Sequence, residues 1–109
     1  MSRVIDLTDE NFDKVINETD KVVIVDFYAT WCGHCRTQAI ILENFADQIG
    51  EDAIVASIDV DENRKKTTEY FISGIPAILV FKYGKLLEQK SGVHQEKELR
   101  NIVDKYKLA

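Results

Sequence analysis

Residues 22–35 read VVIVDFYATWCGHC, an apolar run that leads directly into two cysteines. The run is rich in β-branched and aromatic residues, and only Asp26 interrupts it, so we expect a strand that is covered on both faces. Cys32 and Cys35 are the only cysteines of the chain. A central strand that runs into a helix predicts an α/β protein with the cysteine pair at the junction of the two elements.

Strand and helix patterns alternate on both sides of this junction. A short strand in RVID precedes it, followed by a helix in LTDENFDKVINE for which we expect Thr8 as the N-cap. After it we expect a hairpin that turns at Tyr83-Gly84, and the remaining elements are a helix in CRTQAIILENFADQIG, a strand in AIVASIDVD, a weaker helix in ENRKKTTEYF and a last helix in QEKELRNIVDKYKLA. The order βαβαβαββα predicts a three-layer α/β fold, with a central mixed sheet of about five strands flanked by about four helices.

Composition limits the class of protein further. The chain has 109 residues, 45% hydrophobic and 30% charged, so we expect a single domain over residues 1–109. The net charge is −5 and the basic residues are scattered, which argues against nucleic-acid or membrane partners. No apolar segment has the length of a membrane span or the form of a signal peptide, so we expect a cytoplasmic protein. Nothing in the pattern indicates an oligomer, and we expect a monomer.

The spacing of the two cysteines places them differently on the predicted helix. If the helix begins just after Trp31, Cys32 lies at its N-terminus, where free N–H groups and the helix dipole stabilise a thiolate. Cys35 lies one turn later and leads an apolar face formed by Cys35, Ala39, Leu42, Phe45, Ala46 and Ile49. Cys35 should therefore be the more buried. An accessible thiolate with a second thiol one turn away is what dithiol–disulfide exchange requires.

Two other interpretations of the pair have to be weighed. A structural zinc site usually has four ligands, and beyond the cysteines the chain offers only His34 and His94. We expect His34 to point away from the buried cysteine face and His94 to be an exposed loop histidine, so we predict no metal site. A redox-inert pair of helix cysteines is the other alternative, although Cys32 gains little from burial at a helix start.

The segment VDFYATWCGHC closely resembles the active-site strand and turn of the thioredoxin family. LTDENF, GIPAILVFKYGK and Gly92 also match family positions in order, so the resemblance covers essentially the whole chain. It implies a cytoplasmic oxidoreductase that reduces protein disulfides, with Cys32 as the nucleophile and Cys35 as the resolving thiol. It also implies that no cofactor is bound, and that electrons come from NADPH through a flavoprotein thioredoxin reductase.

Asp26 is the one charged residue in the apolar run. A carboxyl on a central strand is costly unless it is hydrogen-bonded or protonated, so its pKa should be raised; at a strand end with access to water it would be ordinary. The resemblance favours the first alternative, because this position is similar to the family's buried aspartate, the proton acceptor for Cys35. Many members have a lysine near that aspartate, and the matching residue here is Ser57.

Pro76 is the only proline, in the segment SGIPAILVF. Most X–Pro bonds are trans, and from the pattern alone Pro76 simply opens a strand. The resemblance instead implies the family's cis-proline loop, in which Ile75 would offer backbone hydrogen bonds to an extended substrate. It further implies a substrate-binding surface made by Trp31, Gly33, His34, Gly74, Ile75, Pro76 and Gly92.

Two further residues depart from the family pattern. Typical members have proline in place of His34, and CGHC is similar to the active sites of protein disulfide isomerase domains. An imidazole near Cys32 stabilises its thiolate, so we expect a less reducing potential, and oxidation or isomerisation stays open as the direction of the chemistry. Ile40 replaces a proline that usually kinks the helix, which predicts a straighter helix. A redox-inert binding module that docks partners through Trp31, Ile75 and Gly92 also stays open.

Overall fold

The computed structural model describes residues 2–108. Its elements follow the predicted order, and the fold class is confirmed. In chain order they are β1 (Ile5–Leu7), α1 (Phe12–Asn17), β2 (Val22–Tyr28), α2 (Gly33–Ile49), β3 (Ala53–Asp59), α3 (Arg64–Glu69), β4 (Ala77–Lys82), β5 (Lys85–Ser91) and α4 (Glu96–Tyr106), with one 3₁₀ turn at Gly50–Asp52 between α2 and β3.

The five strands form one mixed sheet in the order β1-β3-β2-β4-β5. β1, β3 and β2 run parallel, whereas β4 is antiparallel to both β2 and β5. β2 is therefore central, and every residue from Val22 to Phe27 is buried, as the apolar run predicts. The β4–β5 hairpin turns at Tyr83 and Gly84, whose φ angles are 53° and 75°, as a tight hairpin requires.

Each face of the sheet has its own apolar cluster. The α1–α3 face contains an aromatic group whose members contact one another, Phe12, Phe27, Tyr70 and Phe81. The α2–α4 face is mainly aliphatic, and its helices contribute Leu42, Phe45, Ala46, Ile49, Leu99, Ile102 and Val103. Within residues 2–108 the structure has no helix long and apolar enough to cross a membrane.

The predicted N-cap at Thr8 is wrong, because α1 begins four residues later, at Phe12, after Asn11. Thr8 instead closes the turn ahead of the helix. Its hydroxyl accepts the Asn11 N–H at 3.2 Å, and its own N–H donates to the Asn11 side chain at 2.7 Å. The physical rule was sound, since both residues complete backbone groups of a turn, but the pattern could not separate a capped turn from a capped helix.

The predicted buried face of α2 is wrong at one position. Ala39 is exposed, and Gln38 is fully buried in its place. Gln38 lies three residues after Cys35 and so belongs to the same helical face; a polar residue there went unrecognised because burial was assigned only to apolar residues. Ile40, where a kinking proline is usual, is exposed, and α2 continues unbroken to Ile49.

Candidate active site

The cysteine pair lies at the start of α2, shortly after the end of β2. Cys32 is the N-cap of the helix, and its Sγ accepts the Cys35 N–H at 3.2 Å. The Cys32 N–H donates to the Ala29 carbonyl at 3.3 Å, and the Arg36 guanidinium donates to the Thr30 carbonyl at 3.1 Å, which holds the turn between strand and helix. The first sulfur therefore lies where the helix offers free N–H groups to a developing negative charge.

Cys32 and Cys35 are joined by a disulfide bond, with a Cα–Cα distance of 5.2 Å. Cys32 is 8% exposed and Cys35 is 2% exposed, so Cys35 is the more buried. Gly33 and His34 lie between them on the exposed side of the first turn of α2. Of the two sulfurs, the Cys32 Sγ is the one nearer to solvent.

Trp31 lies at the surface beside the pair. Its ring is 69% exposed, and its Nε1–H donates to the Asp61 carboxylate at 2.8 Å. Asp61 follows β3, and its N–H in turn donates to the Asp59 side chain at 2.9 Å. Sequence reasoning missed Asp61, although a polar residue just after a parallel strand lies at the same sheet edge as the end of β2, and that was a usable signal.

The loop before β4 lies against Cys32. The Ile75–Pro76 peptide bond is cis, and the Ile75 carbonyl oxygen is 4.0 Å from the Cys32 Sγ. The Gly92 N–H donates to the Pro76 carbonyl at 2.8 Å, and Gly92 has a φ of 90°, which favours glycine. Gly74 lies beside Ser91, so the structure brings Gly74, Pro76 and Gly92 together around Ile75, whose carbonyl faces the sulfur.

Asp26 lies on β2, 1% exposed, opposite Ser57 on β3 and Ile78 on β4. Burial raises the pKa of Asp26 to about 7. Among residues 2–108 its Oδ1 has no hydrogen-bond partner. The Asp26 carboxyl is therefore able to take up and release a proton near neutral pH, a property that an exposed aspartate lacks.

A hollow of about 240 Å³ adjoins Asp26 and is lined by Val4, Asp26, Tyr28, Ala39, Leu42, Glu43 and Ser57. Tyr28 and Ala39 also line a second hollow, which reaches Cys35. Tyr28 and Ala39 therefore separate the hollow beside the Asp26 carboxyl from the hollow beside Cys35. The small side chain of Ser57 contributes to the open space next to Asp26.

His94 lies in a loop, as predicted, but the prediction that it is exposed is wrong. Its side chain is 17% exposed, with Nδ1 2.9 Å from the Glu98 carboxylate and Nε2 3.1 Å from the Ser91 carbonyl oxygen. The buried Gln38 amide donates to the His94 carbonyl at 3.0 Å and accepts the His94 N–H at 2.7 Å. These contacts tie α2, one turn after Cys35, to the loop that carries Gly92.

Two cysteines at the start of a helix, one of them near solvent, are suited to exchanging a disulfide with another molecule. Among residues 2–108 no cluster of three or more His, Cys, Asp or Glu side chains could hold a metal ion. The cysteine pair at the start of α2 defines the site of a thiol–disulfide oxidoreductase.

The chain belongs to the thioredoxin family. Residues 3–105 match the thioredoxin family model. A thioredoxin of Alicyclobacillus acidocaldarius subsp. acidocaldarius is 42% identical over 93 residues, which are 85% of this chain and 88% of the relative. A thioredoxin of Chlorobaculum thiosulfatiphilum is 37% identical over 99 residues, 91% of this chain and 92% of that protein. The predicted family and the predicted thiol–disulfide chemistry are both confirmed.

Proposed function

We propose that this protein reduces protein disulfides, with Cys32 as the nucleophile and Cys35 as the resolving thiol. The observation that carries the assignment is the position of the Cys32 Sγ, which caps α2 and accepts the Cys35 N–H at 3.2 Å. The same donors would stabilise a thiolate at Cys32, and Cys35 is too buried for direct attack on a protein substrate.

The reaction begins with attack of the Cys32 thiolate on one sulfur of the substrate disulfide. A mixed disulfide forms, and the other substrate sulfur leaves as a thiolate that takes a proton from water. Cys35 then gives its proton to the Asp26 carboxylate and attacks the Cys32 Sγ, which releases the second substrate thiolate. Two electrons pass to the substrate, and the Cys32–Cys35 disulfide remains. The hollows that share Tyr28 and Ala39 would let a water molecule relay the Cys35 proton to Asp26.

We propose that the substrate polypeptide binds along the loop at Pro76. An extended segment would pair with the backbone of Ile75, whose carbonyl oxygen is 4.0 Å from the Cys32 Sγ. Trp31 and the first turn with Gly33 and His34 would border one side, and Gly74, Pro76 and Gly92 the other. The 2.8 Å hydrogen bond between the Gly92 N–H and the Pro76 carbonyl holds these two segments together.

The partners and the compartment are proposed from membership of the family. We propose a monomer in which residues 1–109 form a single domain and which acts in the cytoplasm. In this proposal an NADPH-dependent flavoprotein thioredoxin reductase returns electrons to the Cys32–Cys35 disulfide.

Single cysteine variants test the assigned roles. Cys35→Ser should accumulate a covalent complex with a disulfide substrate, because the resolving thiol is gone, whereas Cys32→Ser should form none. Mass spectrometry after mixing with a disulfide-bonded peptide measures this. Trapping by Cys32→Ser instead would reverse the two roles, and trapping by neither variant would support a redox-inert binding module.

Oxidation or isomerisation is the second candidate, and the exposed His34 favours it. The reduction potential against glutathione separates the two directions. A value near about −270 mV is that of a reductant, and one near about −180 mV is that of an isomerase-like couple. We expect a value less negative than that of the His34→Pro variant, since proline removes the imidazole and a backbone N–H from the first turn of α2.

A further inference from the structure

Phe71 combines two features that rarely occur together. Its side chain is 86% exposed, and its φ is 53°, in the left-handed region that a bulky residue avoids. Within residues 2–108 the only other residue besides glycine with positive φ is Tyr83, at the β4–β5 hairpin. An aromatic ring gains little from such exposure, so the identity of residue 71 calls for a reason other than stability.

The backbone at Phe71 explains the angle but not the side chain. α3 ends at Glu69, the Phe71 N–H donates to the Thr68 carbonyl at 3.1 Å, and the Ile72 N–H donates to the Thr67 carbonyl at 3.0 Å. These are the two bonds of a Schellman helix end, in which the residue at the position of Phe71 is usually glycine. The chain has phenylalanine where the fold favours glycine.

The ring is directed away from the core and lies in the loop that leads to the active site. Its neighbours Tyr70 and Ile72 pack against the apolar cluster of the α1–α3 face, which leaves the side chain between them to face outward. Ile75, four positions further on, lies beside the Cys32 Sγ. Four residues span at most about 14 Å, and an extended substrate advances about 3.3 Å per residue. Phe71 is therefore within reach of a substrate residue about three or four positions from the reacting cysteine.

We propose that Phe71 is a specificity-determining residue, which contacts an apolar side chain of a polypeptide substrate about four residues from its reacting cysteine. This inference rests on the proposed function, because the occupant is the extended segment that pairs with Ile75. The exposed ring lies in the same loop as Ile75, and contact with an apolar substrate side chain would remove both apolar groups from water. Small disulfides without a flanking chain do not reach it.

The chain provides a matched control. Tyr83 is also an exposed aromatic residue with a φ of 53°, but it lies at the other end of β4 from Pro76. Phe71→Gly and Tyr83→Gly therefore make the same kind of change, the loss of an exposed ring from a left-handed position. Only the first should alter substrate recognition. Phe71→Tyr keeps the ring and should behave like the unchanged protein.

The experiment measures steady-state kinetics with dithiothreitol as the reductant. The substrates are short peptide disulfides with phenylalanine or serine placed at each position up to about four residues from the cysteine, and hydroxyethyl disulfide, which has no flanking chain. Melting temperatures of all variants are measured in parallel.

Phe71→Gly is expected to raise KM about three- to tenfold for the best phenylalanine peptide, the range typical of one aromatic contact, with kcat unchanged. KM for the serine peptides and for hydroxyethyl disulfide should stay the same, and the melting temperature should stay the same or rise. Tyr83→Gly should change no KM. A merely structural role for Phe71 would not produce this dependence on the peptide sequence.

Three results would overturn the proposal, each differently. An unchanged KM for every peptide would remove Phe71 from recognition while leaving the reductase function intact. Loss of a concentration-dependent dimer in Phe71→Gly, with unchanged KM, would assign the ring to contact between two copies of the chain. If the unchanged protein reduces neither peptides nor hydroxyethyl disulfide, the proposed function itself fails, and the inference with it.

Discussion

The two faces of the sheet are packed by different means. On the α1–α3 face the rings of Phe12, Phe27, Tyr70 and Phe81 lie 5.5–6.3 Å apart by their centroids and form one continuous aromatic group. The α2–α4 face is aliphatic around Phe45. Further along β2 on this face, Asp26 and a hollow of about 240 Å³ take the place of apolar packing.

This difference shows where the molecule keeps a group that is unfavourable for stability. Val22 and Ile24 precede Asp26 on the same side of β2, so an aliphatic residue at position 26 would simply extend the cluster. A buried carboxyl there contributes nothing to packing, and burial raises its pKa to about 7. The α1–α3 face is packed throughout by apolar side chains, whereas the α2–α4 face gives up stability at Asp26, whose hollow shares Tyr28 and Ala39 with the hollow that reaches Cys35.

The largest effect is expected from breaking the aromatic face. Phe12→Ala should lower the free energy of unfolding by about 3–5 kcal/mol, because a fully buried ring is lost together with its contacts to Phe27, Tyr70 and Phe81. Phe45→Ala, equally buried on the aliphatic face, should cost less by about the energy of an aromatic pair, roughly 1 kcal/mol. Urea unfolding measures both. Equal costs would mean that the two faces do not differ in this respect.

Removing the Asp26 carboxyl should raise the free energy of unfolding rather than lower it. The folded-state pKa of Asp26 is raised to about 7 from an ordinary value of 3.8, so ionisation disfavours the folded state, and stability falls as pH rises between those values. Asp26→Asn should therefore stabilise the protein at about pH 8, by at most about 4 kcal/mol, and have little effect near pH 4.

Urea unfolding across this pH range measures the effect of Asp26→Asn. Asp59→Asn, at the last residue of β3, is a suitable comparison because it also replaces a strand carboxyl by an amide, but at a partly exposed position. A stabilisation by Asp26→Asn that is independent of pH would contradict a buried, titrating carboxyl.

The sequence predicts the strands and helices that form the two apolar faces better than it predicts the polar contacts made by side chains. The run from Val22 to Phe27 identifies the central strand because burial on both faces needs only apolar side chains. Thr8 shows the limit, since a hydroxyl serves a turn and a helix equally well. Cys32 at a helix N-terminus was predictable from the pattern, because the apolar strand run ends just before it and the apolar face of the next helix begins at Cys35.

The missed parts of the site are contacts between segments far apart in the chain. Trp31 donates to Asp61, and Gln38 is bonded to the backbone of His94, 56 positions away. The position of Asp61 after a parallel strand indicates the sheet edge where it lies but not its pairing with Trp31, and Gln38 alone resembles an ordinary surface residue. The roles predicted for Asp26 and the Pro76 loop came from the family resemblance and stay predictions.

Gln38 extends the comparison to a polar residue of α2, because it is fully buried and its amide oxygen and nitrogen are each hydrogen-bonded to the His94 backbone. Gln38→Leu should lower the free energy of unfolding by about 1–3 kcal/mol, since the His94 N–H and carbonyl both lose their partners. Thr37→Leu, on the exposed side of the same turn, should change it far less. Thermal unfolding measures both, and an unchanged melting temperature in Gln38→Leu would show that water replaces the amide without loss.

The smallest expected effect is a change in the pKa of Asp26 on substitution of Ser57. Ser57 is paired with Asp26 in the register of β2 and β3 and lines the same hollow. Ser57→Lys would bring an ammonium group into that space, where an opposite charge favours the carboxylate. The pKa of Asp26 should then fall from about 7 by about one unit or more, equivalent to roughly 1.4 kcal/mol.

Carboxyl carbon NMR across pH measures the Asp26 titration directly in the Ser57→Lys variant. Ser57→Ala keeps the hollow open without adding a charge, so in that variant the pKa should stay raised by burial. If Asp26 is also the proton acceptor for Cys35, the acid limb of the reductase pH profile should move to lower pH in Ser57→Lys by the same amount. A lowered pKa with an unmoved profile would separate the two properties, and would place the proton of Cys35 on some other acceptor.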